Sequence, residues 1–230
     1  AVSAQLPSPL ILSHRDYVRR AVWNADESRI LTQSDDGLWL WDAVTGELIS
    51  QLEPFGRDVS AEWDNTGTRI LGVGVTPTCR NVCVNAVIVW DGMSGEPLFT
   101  EESVQPMPSA HWAYHSSQFL FCRGSHVFIY NDDGELVQDL SHDYEVRFAV
   151  WYGDTHVLSA DGTAYDFWDV ETGERLWRRS LGGELRISAA SHDGSRFAAV
   201  TQDGEAWVWD ISSGEILAQF ELDRAIWEMS

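Results

Sequence analysis

The stretch Ser34-Asp35-Asp36-Gly37-Leu38-Trp39-Leu40-Trp41-Asp42-Ala43-Val44-Thr45-Gly46-Glu47 decides the fold. It reads as a polar turn, a short apolar strand closed by Trp-Asp, and a second turn ending in Gly-Glu. The Trp-Asp pair returns at Trp90-Asp91, Trp168-Asp169 and Trp209-Asp210, with a degenerate copy at Tyr130-Asn131. Successive copies lie 49, 40, 38 and 41 residues apart. That spacing is too long for a hairpin and too short for a domain, so each copy marks one unit of a stacked array.

Within each unit, period-two alternation broken by Gly, Asp and Ser clusters predicts four strands, called a to d. In the first unit they run Val18 to Trp23, Arg29 to Ser34, Leu38 to Trp41 and Leu48 to Leu52. The turn after strand c is the most regular feature, repeating Asp42 to Glu47 as Asp91 to Glu96, Asp169 to Glu174 and Asp210 to Glu215. Its aspartate accepts hydrogen bonds from turn amides, and its glycine supplies the positive φ that returns strand d antiparallel. Repeats are expected to end near residues 52, 100, 140, 180 and 220, after a tail over 1–9. Tryptophans recur at the end of strand a (Trp23, Trp63, Trp112, Trp151) and of strand c. Aromatics at strand period are expected to fill the space between stacked sheets rather than to bind ligands.

The chain has 230 residues and 44% apolar content, enough for a sizeable core, and no apolar run long enough for a membrane-spanning helix. Its 36 acidic and 15 basic residues give a net charge of -21, which repels nucleic acid. Every basic residue is Arg, so Schiff-base chemistry and a phosphate-loop lysine are excluded. The seven histidines form no nucleophile elbow or zinc-helix pattern, so no catalytic residue, metal site or cofactor is expected. Turn carboxylates converging as in a hydrolase are the minor alternative. Cys79 and Cys83 flank three residues in a loop and can bridge a hairpin mouth in an oxidising compartment, or stand as free thiols. Val2-Ser3-Ala4 resembles the end of a cleaved secretory signal, and the Arg, Trp and Ala usage suits a bacterial source. A secreted or envelope location is slightly favoured over the cytoplasm.

The Trp-Asp ends, the turns Ser34 to Gly37 and Ser159 to Gly162, and the segment Ser191 to Gly194 resemble the WD-repeat β-propeller family over residues 10 to 230. The resemblance implies an all-β propeller of four-stranded antiparallel blades, with a buried set of His, Ser or Thr, Asp and Trp in each blade. Carried over by position, the sets are His14, Ser34, Asp36, Trp41 and His142, Ser159, Asp161, Trp168. A third keeps Thr201, Asp203 and Trp209 but has Gly182-Gly183 in place of histidine. Their role is expected to be architectural. The second repeat has a long loop, Val73 to Asn85, and the third has Cys122 and Gly124 where Ser and Asp would sit.

Leu10 to His14 reads as an orphan strand d, and residues 225–230 as an orphan strand a. Five complete blades and a split sixth are therefore expected, as part of a larger ring or completed by a second chain. The family resemblance implies a protein or peptide partner, bound through the loops. With strand a starts aligned on Val18, Val146 and Leu185, the next residue is Arg19, Arg147 and Arg186. In WD-repeat propellers this position faces the top entrance of the channel, so the resemblance implies a partial ring of guanidinium groups that can take an acidic partner, or simply neutralise turn aspartates such as Asp36, Asp161 or Asp203. The alternative function is a structural subunit of a secreted or envelope assembly.

Overall fold

A computed structural model describes residues 11–55, 59–76, 83–180, 182–183, 185–191 and 195–222. The chain divides into two compact units, Ala1–Val104 and Gln105–Ser230. The first contains two sheets: β1 (Val18–Trp23), β2 (Arg29–Ser34), β3 (Gly37–Asp42) and β4 (Leu48–Leu52), then β5 (Val59–Trp63), β6 (Arg69–Val75), β7 (Asn85–Asp91) and β8 (Pro97–Ser103). The second contains three: β9 (Ala110–Trp112) to β12 (Leu136–Ser141) by way of β10 (Phe119–Arg123) and β11 (His126–Tyr130); β13 (Phe148–Tyr152), β14 (His156–Ala160), β15 (Ala164–Asp169) and β16 (Arg175–Ser180); and β17 (Leu185–Ala190), β18 (Arg196–Thr201), β19 (Glu205–Asp210) and β20 (Ile216–Glu221). Each sheet has four strands, and every neighbouring pair is antiparallel and consecutive in the chain. These sheets are blades one to five.

The turn between strands c and d forms as its residue types dictate. The Oδ1 of Asp42 accepts from the Val44 and Thr45 amides, both at 2.9 Å, and Asp91, Asp169 and Asp210 do the same in their own turns. All four carboxyls are held below the usual range for aspartate: by the amides first in Asp42 and Asp169, by the Ser212 hydroxyl first in Asp210, and in Asp91 against burial, which is the largest influence and opposes the Ser94 and Met93 donors. Asn131 takes the role in blade three, accepting from the Glu135 amide at 2.8 Å. The glycine has a second reason to be there. At Gly95, with φ of 76°, a Cβ would lie 2.5 Å from the Ser50 Cβ of blade one, so the turn of one blade seats on the last strand of its neighbour.

Cores form where blade faces meet inside a unit. Leu31, Leu38, Leu40 and Leu52 of blade one pack on Ala61, Ile70, Ile88 and Trp90 of blade two. In the second unit, Leu120, Cys122, Val127 and Ile129 join Trp151, Val157 and Trp168 of blade four, whose other face packs through Tyr165, Phe167 and Trp177 on Phe197, Trp207 and Trp209 of blade five. Truncating one such fully buried leucine to alanine costs roughly 2–5 kcal/mol.

Three expectations need correction. Residues 11–14 lie in no strand, so the strand read over Leu10 to His14 does not form among the described residues. Trp23 is 56% exposed rather than packed between sheets, because its neighbour Val22 takes the core-facing side of β1 and alternation turns Trp23 away. The long loop of the second repeat is shorter than it reads, since β6 runs to Val75 and β7 begins at Asn85. Residues 1–10 and the expected strand over 225–230 lie outside the described residues.

Candidate functional site

Blade four carries a buried chain of donors. Trp168 Nε1–H donates to Ser159 Oγ at 2.9 Å, and Ser159 Oγ lies 2.7 Å from His142 Nε2. His142 Nδ1 lies 3.2 Å from the Leu140 carbonyl, which can only accept, so Nδ1 carries the proton and Nε2 accepts from the serine. The chain therefore runs from indole to hydroxyl to neutral imidazole to backbone. Burial, the largest influence, lowers the His142 pKa to about 4, against smaller raising effects from the Leu140 carbonyl and Asp161.

An ionic layer adjoins this chain. Arg178 donates from Nη2 to Asp161 at 2.6 Å and from Nη1 to Asp166 at 2.7 Å, both carboxylates being fully buried. Arg175 Nη1 approaches Asp166 at 3.4 Å, and Asp166 lies 3.7 Å from His142 Nε2. Burial raises the Asp166 pKa against the pull of both arginines. Asp161 is lowered by Arg178 and Thr163 although burial opposes them. Asp161 also caps the turn, accepting from the Thr163 amide at 3.1 Å and its hydroxyl at 2.8 Å. Asp166 and its arginines are absent from the family pattern carried over above. Their signal was a lone aspartate inside the apolar run Ala164 to Trp168, opposite a strand holding Arg175, Arg178 and Arg179.

The structure links His142, Ser159 and Trp168 in one chain, with Asp161 held by Arg178 and Thr163 in the layer beside it rather than bonded to that chain, and it rearranges the other two sets. In blade one, Trp41 Nε1 donates at 2.8 Å to Thr32, not Ser34, and Thr32 Oγ1 lies 3.1 Å from His14 Nε2. Ser34 and Asp36 instead accept from Trp39 Nε1, at 3.1 and 3.2 Å. The register explains the exchange. Thr32 faces Trp39 across β2 and β3, as Ser159 faces Asp166 across β14 and β15. In blade five that register position is Ala199, opposite Trp207. No hydroxyl stands there, and the buried Trp209 Nε1 has no hydrogen-bond partner among the described residues. Thr201 turns to the Glu205 carbonyl at 3.5 Å, and Asp203 is exposed. The third set is thus not a network.

The three aligned arginines also part ways. Arg19 forms an ion pair with Asp35, its own turn's first aspartate. Arg186 is exposed on β17. Register slips by one residue at both Arg19 and Arg186, which makes each the extra residue of a bulge. Arg147 precedes β13, its amide bonded to the Ala160 carbonyl at 2.7 Å, and its side chain lies over Gly162, where a Cβ would come 3.2 Å from Nε. It lines a cavity of about 720 Å³ in the second unit, with Tyr144, Glu145, Asp161, Gly162, Thr163, Ser180, Gly182 and Gly183.

Cys83 is disulfide-bonded, Cys122 is a free buried thiol pushed up to about 12 by burial, and Cys79 lies outside the described residues. Among the described residues no group of three or more His, Cys, Asp or Glu is placed to hold a metal ion, and no helix is long and apolar enough to cross a membrane.

Four-stranded antiparallel sheets of this pattern fit the blades of a WD40-type β-propeller. No family model and no curated protein matches the chain. The solved structure of the C-terminal WD40 domain of Sif2 is similar to it, with a TM-score of 0.62 and 20% identity over 94% of this chain and 75% of that one. At that identity the likeness establishes the fold.

Proposed function

We propose that the chain is a non-catalytic scaffold that binds protein or peptide partners through the loops at its blade ends. One observation carries this reading: the side chains from which a catalytic site would be built are engaged in folding. The aspartates of the turns after strand c cap their own hairpins, His142 sits neutral in the Trp168 chain, and His126 and His156 pair with Asp139 and Thr155 beside them. A rigid frame with its polar groups so engaged leaves recognition to loops. The acidic balance makes nucleic acid a poor partner.

Cross-linking mass spectrometry of the chain in its native extract tests this. Cross-links to a partner from blade-end loops such as Asp132-Asp133 or Tyr144-Glu145 are expected. Turnover of ester, phosphate or glycoside substrates that disappears in an Asp-to-Asn variant would contradict it.

A second reading has its own observation. Since Cys83 is disulfide-bonded, the chain suits an oxidising compartment, as a structural subunit of a secreted or envelope assembly would. Alkylation of the native protein before and after reduction, read by mass, separates the two: with Cys122 buried, no accessible thiol before reduction and two after it favour this reading, and two already before reduction favour a cytoplasmic scaffold.

A further inference from the structure

The cavity in the second unit has the size of a ligand site, and among the described residues its lining offers the Arg147 guanidinium and the hydroxyls of Tyr144, Thr163 and Ser180. These groups can hold a polar guest. Two charged groups of opposite sign face it besides Arg147, and their situations differ. Asp161 is answered from behind by Arg178 at 2.6 Å and is further tied to the Thr163 amide and hydroxyl, so its charge is matched within the protein. Glu145 is exposed at the rim.

Arg147 is exposed and lies over Gly162, whose φ of 88° favours glycine and where a Cβ would come 3.2 Å from the Arg147 Nε. Arg147 has contacts within the protein. A guanidinium has five donors in a planar fork, so a guest shares it with those contacts. Thr163 and Ser180 add hydroxyls, and Gly182 and Gly183 leave the backbone open to close approach.

We propose that this cavity receives a single carboxylate of a protein partner, an Asp or Glu side chain or a free C-terminus, on the Arg147 guanidinium. Bidentate pairing supplies the directional contact. Glu145 on the same rim repels a second negative charge, so a lone carboxylate is favoured over an acidic run or a phosphate dianion. The net charge of -21 acts in the same sense at longer range. Arg19 belongs to the first unit and is not among the residues that line this cavity. This inference rests on the scaffold reading and narrows it to one site and one chemistry.

The full chain is titrated with four acetylated tetrapeptides while backbone amide resonances are followed by NMR. Acetyl-Gly-Gly-Asp-Gly-amide presents a side-chain carboxylate, and acetyl-Gly-Gly-Gly-Gly a terminal one. The Asn and Lys analogues of the first are the neutral and cationic probes. One or both carboxylate probes should shift the Gly162, Thr163, Gly182 and Gly183 amides, and which one does identifies the source. Arg147→Gln should weaken that binding by about tenfold or more, the worth of a charge-assisted hydrogen bond. Arg147→Lys should recover part of it, and Arg19→Gln none of the loss. Shifts produced by the Lys probe, or carboxylate shifts indifferent to Arg147→Gln in a variant whose spectrum is otherwise unchanged, overturn the proposal. A cross-linked partner that persists with Arg147→Gln removes the cavity and leaves the scaffold standing, whereas the absence of any partner removes the scaffold itself.

Discussion

Blades one and four contain the same three-part chain of Trp, hydroxyl and His, yet they end it differently. In blade four the imidazole Nδ1–H reaches the Leu140 carbonyl, two residues back on β12. In blade one the corresponding residue is Leu12, which lies in no strand, and His14 Nδ1 is buried without a partner among the described residues. A hydrogen-bond chain is only as complete as the backbone that receives its last proton. The side layers differ as well. Blade four backs its chain with Asp161, Asp166 and Arg178, whereas blade one places Trp39 at the Asp166 position and stacks it on Trp41, ring centroids 6.3 Å apart. Blade five follows blade one, with Trp207 on Trp209 at 6.1 Å, but keeps no hydroxyl.

The largest break in this comparison is expected from Arg178→Met. It removes the nearest cation from two buried carboxylates, leaving Asp166 only the longer Arg175 contact, and removing one partner of a buried ion pair costs roughly 3–5 kcal/mol. Chemical denaturation should show that loss, while Arg29→Met, which leaves only the half-exposed Asp42, should cost under about 1 kcal/mol.

Next comes pH. The folded pKa of His142 is about 4, below its ordinary 6.5, so the unfolded chain binds the proton more readily. Its contribution is fully present above pH 6.5 and is lost as pH falls toward 4, by about 3 kcal/mol at most. His14 is lowered in the same direction, by burial opposed by Asp36, and is less deeply set. Stability measured from pH 7 to 4 should therefore fall less steeply in His142→Gln than in the parent, and His14→Gln should change the slope less.

The smallest effects sharpen the comparison. Trp168→Phe removes a donor that Ser159 uses, at a cost of about 1–3 kcal/mol. Trp209→Phe removes a donor with no partner among the described residues and should cost clearly less. Equal losses in the two variants would mean that the indole N–H groups contribute nothing specific.

The strands were legible because each depends on local chemistry. The bounds expected for Val18 to Trp23, Arg29 to Ser34 and Leu48 to Leu52 are those of β1, β2 and β4. The polar sets were less so, because they depend on cross-strand register. Loop length between strands b and c varies, so counting from the turn placed Ser34 where pairing places Thr32. Ala199 carries no signal in the sequence for the same reason, Thr201 two residues on being the more suggestive residue type. The Asp166 layer was visible as a charge in an apolar run, but its meaning came only from Arg178 lying opposite on β16.

We propose that these polar sets are architectural, with a neutral imidazole at the centre of the one in blade four. Nitrogen-15 NMR of the His142 ring tests it most directly. The Nδ1–H tautomer is expected at neutral pH, holding its proton state until the pH approaches about 4. A His142 ring that titrates near its ordinary 6.5, or carries its neutral proton on Nε2, would contradict it.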